Sequence, residues 1–257
     1  MDLKQANVLI TGGSEGIGLG LATRFLAAGS TVLITGRNSK KLDKAAQDHS
    51  GLLTYVSDIA VPEQREALAK YASEAFPGLN IVINNAGFQR RISLGLDNAP
   101  WSERQEEIDA LLSGPIHLNH LLIPPMLAHG GPCLIINVTS GGAYIPQVFA
   151  PVYSACKAAL HSYTMVLRHA LANTPIRVAE LIPPAVQTAL AGPGLNHGAP
   201  LDEFCDTVFS KIILDDTMTV GFGPTENLVQ ELNGKPLSEI FDAGTKRFPV
   251  ETYSSLE

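Results

Sequence analysis

Short, almost wholly apolar runs alternate along the chain with longer segments in which apolar residues recur at helical spacing. After the first run, for example, Ile17, Leu21 and Phe25 recur every four residues, which predicts one face of a helix. Runs that are apolar throughout are typical of parallel strands buried on both faces. The predicted strands are Asn7–Thr11, Thr31–Thr35, Leu53–Ser57, Ile81–Ile83, Cys133–Val138, Arg177–Leu181 and Met218–Val220.

This alternation predicts one α/β domain over residues 1–257, a Rossmann fold with a doubly wound parallel sheet of about seven strands and helices on both faces. Two helix starts have local signals: Pro62 suits a first helical turn, and Ser102 with Gln105 forms a capping-box pattern. Periodicity weakens over about residues 189–215, where a glycine- and proline-rich stretch predicts a mobile substrate lid. A merely variable surface loop has the same composition.

Composition excludes several classes of partner. The net charge is −7 and no stretch concentrates Lys and Arg, which argues against nucleic acid or an anionic membrane surface. Cys133, Cys156 and Cys205 are widely spaced, so neither a disulfide framework nor a metal site is expected, and a reducing, cytoplasmic setting is predicted. No window reaches 18 apolar residues and the start has no charged leader, so neither a membrane span nor a signal peptide is expected.

A glycine-rich turn, Thr11-Gly12-Gly13-Ser14-Glu15-Gly16-Ile17-Gly18, follows the first predicted strand. Between a strand and a helix, such a turn suits a dinucleotide pyrophosphate. Gly12 would allow the tight turn, Gly16 would let the backbone approach the phosphates, and Gly18 would let the helix pack on the strand. Any strand-to-helix turn can use glycine, so this turn alone leaves a purely structural role open.

A tyrosine and a lysine form the second candidate feature. Tyr153 and Lys157 are four residues apart in a predicted helix and share one face, although an ordinary surface pair has the same spacing. Ser140 lies just past the strand Cys133–Val138, at the end of a parallel sheet where ligands bind. Its hydroxyl would hold a substrate oxygen while the phenol exchanges a proton. The Lys157 ammonium, if it lies about 4 Å from the Tyr153 hydroxyl, would lower the pKa of this phenol by roughly 2–3 units.

Together these residues resemble those of the short-chain dehydrogenases/reductases. The shared features are Thr11-Gly-x-x-x-Gly-x-Gly18, Asn84-Asn85-Ala86-Gly87, Ser140 and Tyr153-x-x-x-Lys157, in the family's order over roughly residues 5–190. The segment from Val138 to His161 is most similar to the DltE-like branch. The resemblance implies an oxidoreductase that moves a hydride between a nicotinamide cofactor and a small-molecule carbonyl or alcohol, with Tyr153 as general acid or base.

The resemblance also implies residue roles. Ser140, Tyr153 and Lys157 would be catalytic, and the last two would also contact the cofactor. The other implied cofactor contacts run from the phosphates through adenine and ribose to the nicotinamide: Thr11, Gly12, Ser14, Gly16, Ile17, Gly18, Asp58, Ile59, Asn85, Ala86, Gly87, Pro183, Val186 and Thr188. Where the family usually has Pro-Gly, this chain has Pro183-Pro184, which removes a backbone N–H near the nicotinamide.

The cofactor is predicted to be NADP(H) rather than NAD(H). The second predicted strand is followed by Gly36, Arg37 and Asn38. Gly36 offers no carboxylate to bind a ribose hydroxyl, and the next two residues would accommodate a 2′-phosphate. Glu15 is a contrary sign, since many NADP-preferring relatives carry a basic residue there.

Leu111 stands where the family has a catalytic asparagine, whose main-chain carbonyl holds a water next to the catalytic lysine. In an α-helix the Leu111 carbonyl would bond the N–H of residue 115, but Pro115 has none. The relay that passes protons from the catalytic lysine through this water to solvent is therefore predicted to survive, with the freed Leu111 carbonyl holding the water.

Two alternatives to a carbonyl or alcohol oxidoreductase stay open. One is a catalytically idle dinucleotide-binding sensor or scaffold, and the other is an enzyme that reduces an imine or activated alkene.

Two further expectations concern the substrate and the assembly. The pocket is predicted to be largely apolar, with a wall formed by Phe88, Tyr144, Val148, Phe149 and Leu190, while His197 is predicted to be an exposed loop residue. The resemblance implies a homodimer or homotetramer in which a helix from about Val152 to Ala172 contacts a second copy. The residues available to that face are Leu160, Tyr163, Thr164 and Leu167, unless they pack inward.

Overall fold

A computed structural model describes residues 2–191 and 197–228, together with residues 232, 243, 246, 247 and 249. In this part of the chain, seven parallel strands form one sheet in the order β3-β2-β1-β4-β5-β6-β7. The strands are β1 (Asn7–Thr11), β2 (Thr31–Gly36), β3 (Leu52–Val56), β4 (Leu79–Asn84), β5 (Cys133–Val138), β6 (Ile176–Ile182) and β7 (Thr219–Gly221). The predicted single-domain Rossmann fold is confirmed.

The helices of the described residues are α1 (Gly16–Ala27), α2 (Ser39–Asp48), α3 (Pro62–Ala75), α4 (Trp101–Ile108), α5 (Gly114–His129), α6 (Pro151–Ala170) and α7 (Leu201–Phe209). A π-helical turn, Asp109–Ser113, joins α4 to α5. Pro62 occupies the first turn of α3, as predicted. The predicted capping box of Ser102 and Gln105 is wrong. Helix α4 begins at Trp101, with Pro100 as its N-cap and no side-chain cap, so Ser102 lies inside the first turn. None of these helices is both long and apolar enough to cross a membrane.

Apolar layers cover both faces of the sheet. Leu21, Phe25 and Phe204, from α1 and α7, are fully or almost fully buried on one face. Leu68 and Leu118, from α3 and α5, are fully buried on the other. Every residue of β4 and β5 is buried, since helices lie over both faces of these central strands. The strand order reverses between β1 and β4, and ligands bind open α/β sheets at such a switch point.

The predicted lid is only partly a loop. Its second half forms α7, in which Phe204 and Cys205 are fully buried. This helix packs so closely on α1 that a Cβ at Gly20 would lie 2.5 Å from the Cys205 sulfur. Residues 192–196 lie outside the described residues, and His197 is exposed, as predicted. A lid role therefore stays a prediction for the segment before α7 alone.

Candidate active site

A cleft of about 530 Å³ opens where the carboxyl ends of β1, β2 and β4 meet. It brings together most of the residues predicted to contact a cofactor: Gly12, Ser14, Gly16, Ile17, Arg37, Asn38, Asp58, Ile59, Asn85, Ala86, Gly87 and Thr188. The lining also includes Lys41, Ser57 and Ala110, which the sequence analysis did not single out. They reach the cleft because α2, the end of β3 and the π-turn converge there, and no local sequence signal reports that convergence.

Close backbone contacts require glycine at two positions of the first turn, Gly12 in the lining of the cleft and Gly18 outside it. Gly12 has a positive φ of 64°, and a Cβ there would lie 2.7 Å from the Ala86 Cα. A Cβ at Gly18 would lie 2.3 Å from the carbonyl oxygen of Gly12, so only glycine lets α1 approach the turn this closely. The turn leads into the N-terminus of α1, whose N–H groups favour an anion. This cradle fits a dinucleotide pyrophosphate.

Several predicted cofactor residues support the cleft without lining it. The Thr11 hydroxyl accepts hydrogen bonds from the N–H groups of Asn85 and Ala86, both at 3.0 Å, and Thr11 is buried. Its predicted contact with the phosphates stays a prediction. Pro183 and Val186 are also buried outside the lining: the Pro183 carbonyl accepts from the Gly141 N–H, and Val186 packs in the core.

Both cations at the mouth of the cleft are paired with carboxylates. The Arg37 guanidinium lies 2.6 Å from Glu106, and the Lys41 ammonium lies 2.6 Å from Glu15. The Asn38 side chain caps α2 by accepting from the Lys41 N–H at 3.1 Å. A 2′-phosphate would therefore meet two cations, the second of which the sequence analysis missed, and two carboxylates that compete for them.

Ser140, Tyr153 and Lys157 converge beyond the end of β5. The Ser140 hydroxyl lies close to the Tyr153 phenol and accepts from the Gly142 N–H at 3.1 Å. Lys157 lies one turn further along α6, and its ammonium donates to the Val138 carbonyl at 2.7 Å. All three side chains are buried. The structure thus assembles the three residues singled out from the sequence.

Burial dominates the electrostatics of this group. It raises the pKa of the Tyr153 phenol, the Ser140 hydrogen bond acts in the opposite direction, and the Glu107 carboxylate raises the pKa further. Burial also lowers the pKa of Lys157 to about 8. The lysine Nζ lies 5.7 Å from the centroid of the Tyr153 ring. The expected lowering of the phenol pKa is therefore wrong for this arrangement, because burial raises it. A protonated phenol beside Ser140 is instead suited to donate a proton.

Leu111 lies in the π-turn and is fully buried against Gly87, where an added Cβ would come within 2.8 Å of the leucine Cδ2. In this turn the Gly114 N–H bonds the carbonyl five residues back, at Asp109. Leu111 therefore lies in a π-turn, and the α-helical register assumed for it from the sequence is wrong.

A small void nevertheless lies between Leu111 and Lys157. Pro115 and Asn84 also border it, and the buried Asn84 Oδ1 has no hydrogen-bond partner among the described residues. An unpaired acceptor in such a place is the kind of group that an internal water satisfies. The void has no room for a water molecule in the present packing.

A buried polar cluster lies behind the loop that carries Ser140. The Thr139 hydroxyl donates to Glu180 at 2.7 Å, and His161 Nδ1 lies 2.9 Å from the same carboxylate. The Tyr144 hydroxyl lies 3.0 Å from His161 Nδ1, and burial, followed by Glu180, raises the pKa of this phenol. Tyr144 therefore belongs to this cluster rather than to an apolar substrate wall. No local sequence signal indicates that Glu180, within a buried strand, organises such a group.

Some of the other residues predicted for the substrate wall have polar neighbours. Phe88 and Leu190 line the cofactor cleft, and their place in a substrate wall stays a prediction. Phe149 carries the guanidinium of Arg91 4.2 Å from its ring centroid. Close by, the Gln89 amide donates to Gln147 at 2.9 Å.

The α6 residues assigned to a subunit interface face inward. Leu160, Thr164 and Leu167 are buried, and Tyr163 packs against the core shared by α3 and α5. Their predicted exposure to a second copy is wrong. The large apolar side chains that α6 exposes are Met165 and Val166, which are 56% and 65% exposed.

Comparisons with known proteins identify the family of this chain. A family model described as short chain dehydrogenase matches residues 6–196. An uncharacterized oxidoreductase, DltE of Bacillus subtilis (strain 168), is 41% identical over 190 residues, which are 74% of this chain and 75% of the relative.

Two solved structures share the fold. A short chain dehydrogenase from Burkholderia cenocepacia J2315 superposes with a TM-score of 0.80 at 23% identity, over 98% of this chain and 100% of that one. One from Burkholderia phymatum has a TM-score of 0.79 at 20% identity, over 98% and 99%. With a family model over most of its length and a relative above 40% identity, this chain belongs to the short-chain dehydrogenase family and is an oxidoreductase of its DltE-like branch.

Proposed function

We propose that the protein is an NADP(H)-dependent oxidoreductase that interconverts a carbonyl compound and an alcohol. The observation that carries this proposal is the meeting of Ser140 and Tyr153 at the end of β5, next to the glycine cradle. The neighbour from Burkholderia cenocepacia was solved in complex with NADP and that from Burkholderia phymatum with NAD. A nicotinamide dinucleotide is therefore the cofactor class that the fold family supports.

Each catalytic residue has a distinct task in this proposal. When bound, the reduced nicotinamide supplies a hydride, which becomes the new C–H bond of the alcohol. The Ser140 hydroxyl holds the carbonyl oxygen, where negative charge develops. Tyr153 gives that oxygen its phenolic proton, which the raised pKa keeps in place at neutral pH. Lys157, which carries a proton below about pH 8, favours the phenolate left behind.

The preference for NADP(H) rests on Arg37 and Lys41 at the mouth of the cleft. A 2′-phosphate near these two cations gains charge-assisted hydrogen bonds that a ribose hydroxyl lacks. Glu106 and Glu15 reduce the gain because they already pair with both cations. The preference of the cleft for NADP(H) over NAD(H) is therefore smaller than it would be if both cations were unpaired.

The proposal is tested by measuring NADPH and NADH binding separately from their oxidation on a panel of aldehydes and ketones. We expect saturable binding with a preference for NADPH, and turnover of at least one carbonyl substrate. Binding without turnover of any member would favour the idle sensor or scaffold. Turnover of cyclic imines or activated alkenes alone would favour the third alternative and overturn the carbonyl proposal.

A further inference from the structure

The loop after β4 continues outward from the cofactor cleft to an exposed guanidinium. Its first residues, including Gly87 and Phe88, line the cleft. Arg91, three residues further on, is exposed, and its Nη1 donates to the Gln89 Oε1 at 3.2 Å. The neighbouring Arg90 differs, because Asp97 binds both of its terminal nitrogens and Glu103 lies 3.4 Å away. Among the described residues, no carboxylate lies within ion-pairing distance of Arg91.

Two routes connect Arg91 to the catalytic pair. In the first, Gln89 Nε2 donates to Gln147 Oε1 at 2.9 Å. The backbone N–H of Gln147 is held by Ser154 Oγ at 2.9 Å, next to Tyr153 on α6. A Cβ at Gly142 would lie 3.3 Å from the Gln147 carboxamide carbon and 3.5 Å from Ser140 Oγ, so the carboxamide and the serine border one small space.

The second route runs through an aromatic ring. The Arg91 guanidinium carbon lies 4.2 Å from the centroid of Phe149. Phe149 packs in turn on a buried cluster that contains Tyr153. A guanidinium stacked on a ring keeps its in-plane N–H groups available while its orientation is restricted.

The chain of amides has a fixed direction. Arginine can only donate, so Gln89 must present its oxygen to Arg91 and its nitrogen to Gln147. Gln147 then presents its oxygen to Gln89, which leaves its NH₂ group as a donor in the small space that the carboxamide shares with Ser140. Both ends of the chain therefore offer hydrogen-bond donors, and the outer end also carries an unneutralised positive charge.

We propose that Arg91 is a specificity-determining residue that binds an anionic group, a carboxylate, on the carbonyl substrate. The Gln147 amide donates to a substrate acceptor closer to the reacting carbon. Gln89, which is hydrogen-bonded to both Arg91 and Gln147, fixes the positions of these two side chains relative to each other. The substrate class is thus an aldehyde or ketone that bears a carboxylate, or the matching hydroxy acid. This assignment rests on the proposed function and narrows it.

The test compares substrates that differ only in charge: 3- and 4-formylbenzoate against their methyl esters, with NADPH. For the wild type we expect kcat/KM to be higher for at least one acid than for its ester. Arg91→Met should lower kcat/KM for that acid by about tenfold or more, mainly through KM, and should leave the ester within about twofold. Arg91→Lys should recover part of the loss, and high salt should reduce the wild-type preference for the acid. Lys70→Met, which removes an exposed cation from α3, is the matched control and should change neither substrate.

The outcomes separate this inference from the proposed function. Equal losses on acid and ester in Arg91→Met, or no preference for either acid in the wild type, overturn the carboxylate assignment while turnover of the esters upholds the proposed function. A wild type that reduces neither acids nor esters, nor any other carbonyl compound, overturns both. Activity on the ester also shows that each variant is folded and binds its cofactor.

Discussion

The ammonium of Lys157 donates a hydrogen bond to the carbonyl oxygen of Val138 at 2.7 Å. Val138 is the last residue of β5, two residues before Ser140, so this bond ties α6 to the strand end that carries the catalytic serine. The same contact holds the lysine to the strand, with its Nζ 5.7 Å from the centroid of the phenol ring. The Lys157 ammonium is buried, and the partner in this bond is a neutral carbonyl rather than a carboxylate. Burial next to a neutral acceptor disfavours the charged form of the lysine.

The cost of burying this charge predicts an unusual pH dependence of stability. Burial lowers the Lys157 pKa from its ordinary value of 10.5 to about 8. Between these values the unfolded chain binds the proton and the folded chain does not, so raising the pH stabilises the fold, and this gain is lost as pH falls towards 8. We expect the unfolding free energy of wild type minus that of Lys157→Met to increase by roughly 2–3 kcal/mol from pH 7.5 to pH 10.5.

Urea denaturation of both proteins without cofactor gives this difference in unfolding free energy at each pH. The remaining titratable groups are the same in both proteins, so their contributions cancel. Lys70→Met, which removes an exposed ammonium from α3, serves as the control for the loss of one lysine. A Lys157→Met difference that does not change with pH would show that the Lys157 ammonium is not buried as described.

Arg37 and Glu106 should control the choice of cofactor. Arg37→Ala removes a cation that would meet the 2′-phosphate, so KM for NADPH should rise by about tenfold while KM for NADH changes little. Glu106→Gln should act in the opposite direction by releasing Arg37 from its ion pair. Steady-state kinetics with both cofactors tests the two variants together. A wild type that uses NADH better than NADPH would contradict the assignment.

Leu111→Asn should change turnover only modestly, because the predicted proton relay from Lys157 uses the main-chain carbonyl of residue 111, which this substitution keeps. The buried amide should instead cost about 1–3 kcal/mol of stability where it displaces the leucine packed on Gly87. Leu111→Met, which keeps an apolar side chain of similar volume, is the control. A high-resolution structure with cofactor should show the small void beside Leu111 widened enough to hold an ordered water between the Leu111 carbonyl and Lys157. A large gain in kcat from Leu111→Asn would show that the relay is broken in the natural sequence.

An oligomer of at least two copies is expected to bury Met165 and Val166, the exposed apolar pair of α6. Light scattering at micromolar concentration should give at least twice the chain mass of 27.3 kDa. Val166→Lys should shift the protein towards the monomer, because it places a charge in an apolar contact. A wild type that is monomeric would contradict this expectation.

The strands and the glycine cradle could be predicted because their signals are local. A run such as Cys133–Val138 is apolar at nearly every position, and the strand occupies those same residues. Gly12 and Gly18 were predicted for reasons that the structure bears out, since backbone atoms would collide with a Cβ at either position. Patterns of this kind depend on a residue and its neighbours in the chain.

Features that depend on distant residues could not be predicted in this way. Glu180 is stabilised in its strand by Thr139, Tyr144 and His161, which come from other elements. The face that α6 turns to the core was misassigned for the same reason, since apolar spacing does not say which neighbour covers Leu160. Tyr153 and Lys157 could be identified as a pair from their spacing, but the depth of their burial could not, and burial reverses the expected direction of the phenol pKa.

The most direct test of the account compares wild type with Tyr153→Phe for NADPH-dependent reduction of a carbonyl substrate, with NADPH affinity measured in parallel. Removing the phenolic hydroxyl leaves the ring and its packing but takes away the proton donor next to Ser140. We predict a fall in kcat of about 10²–10⁴-fold with little change in the Kd for NADPH. Turnover by Tyr153→Phe at the wild-type rate would contradict the central claim that Tyr153 is the general acid.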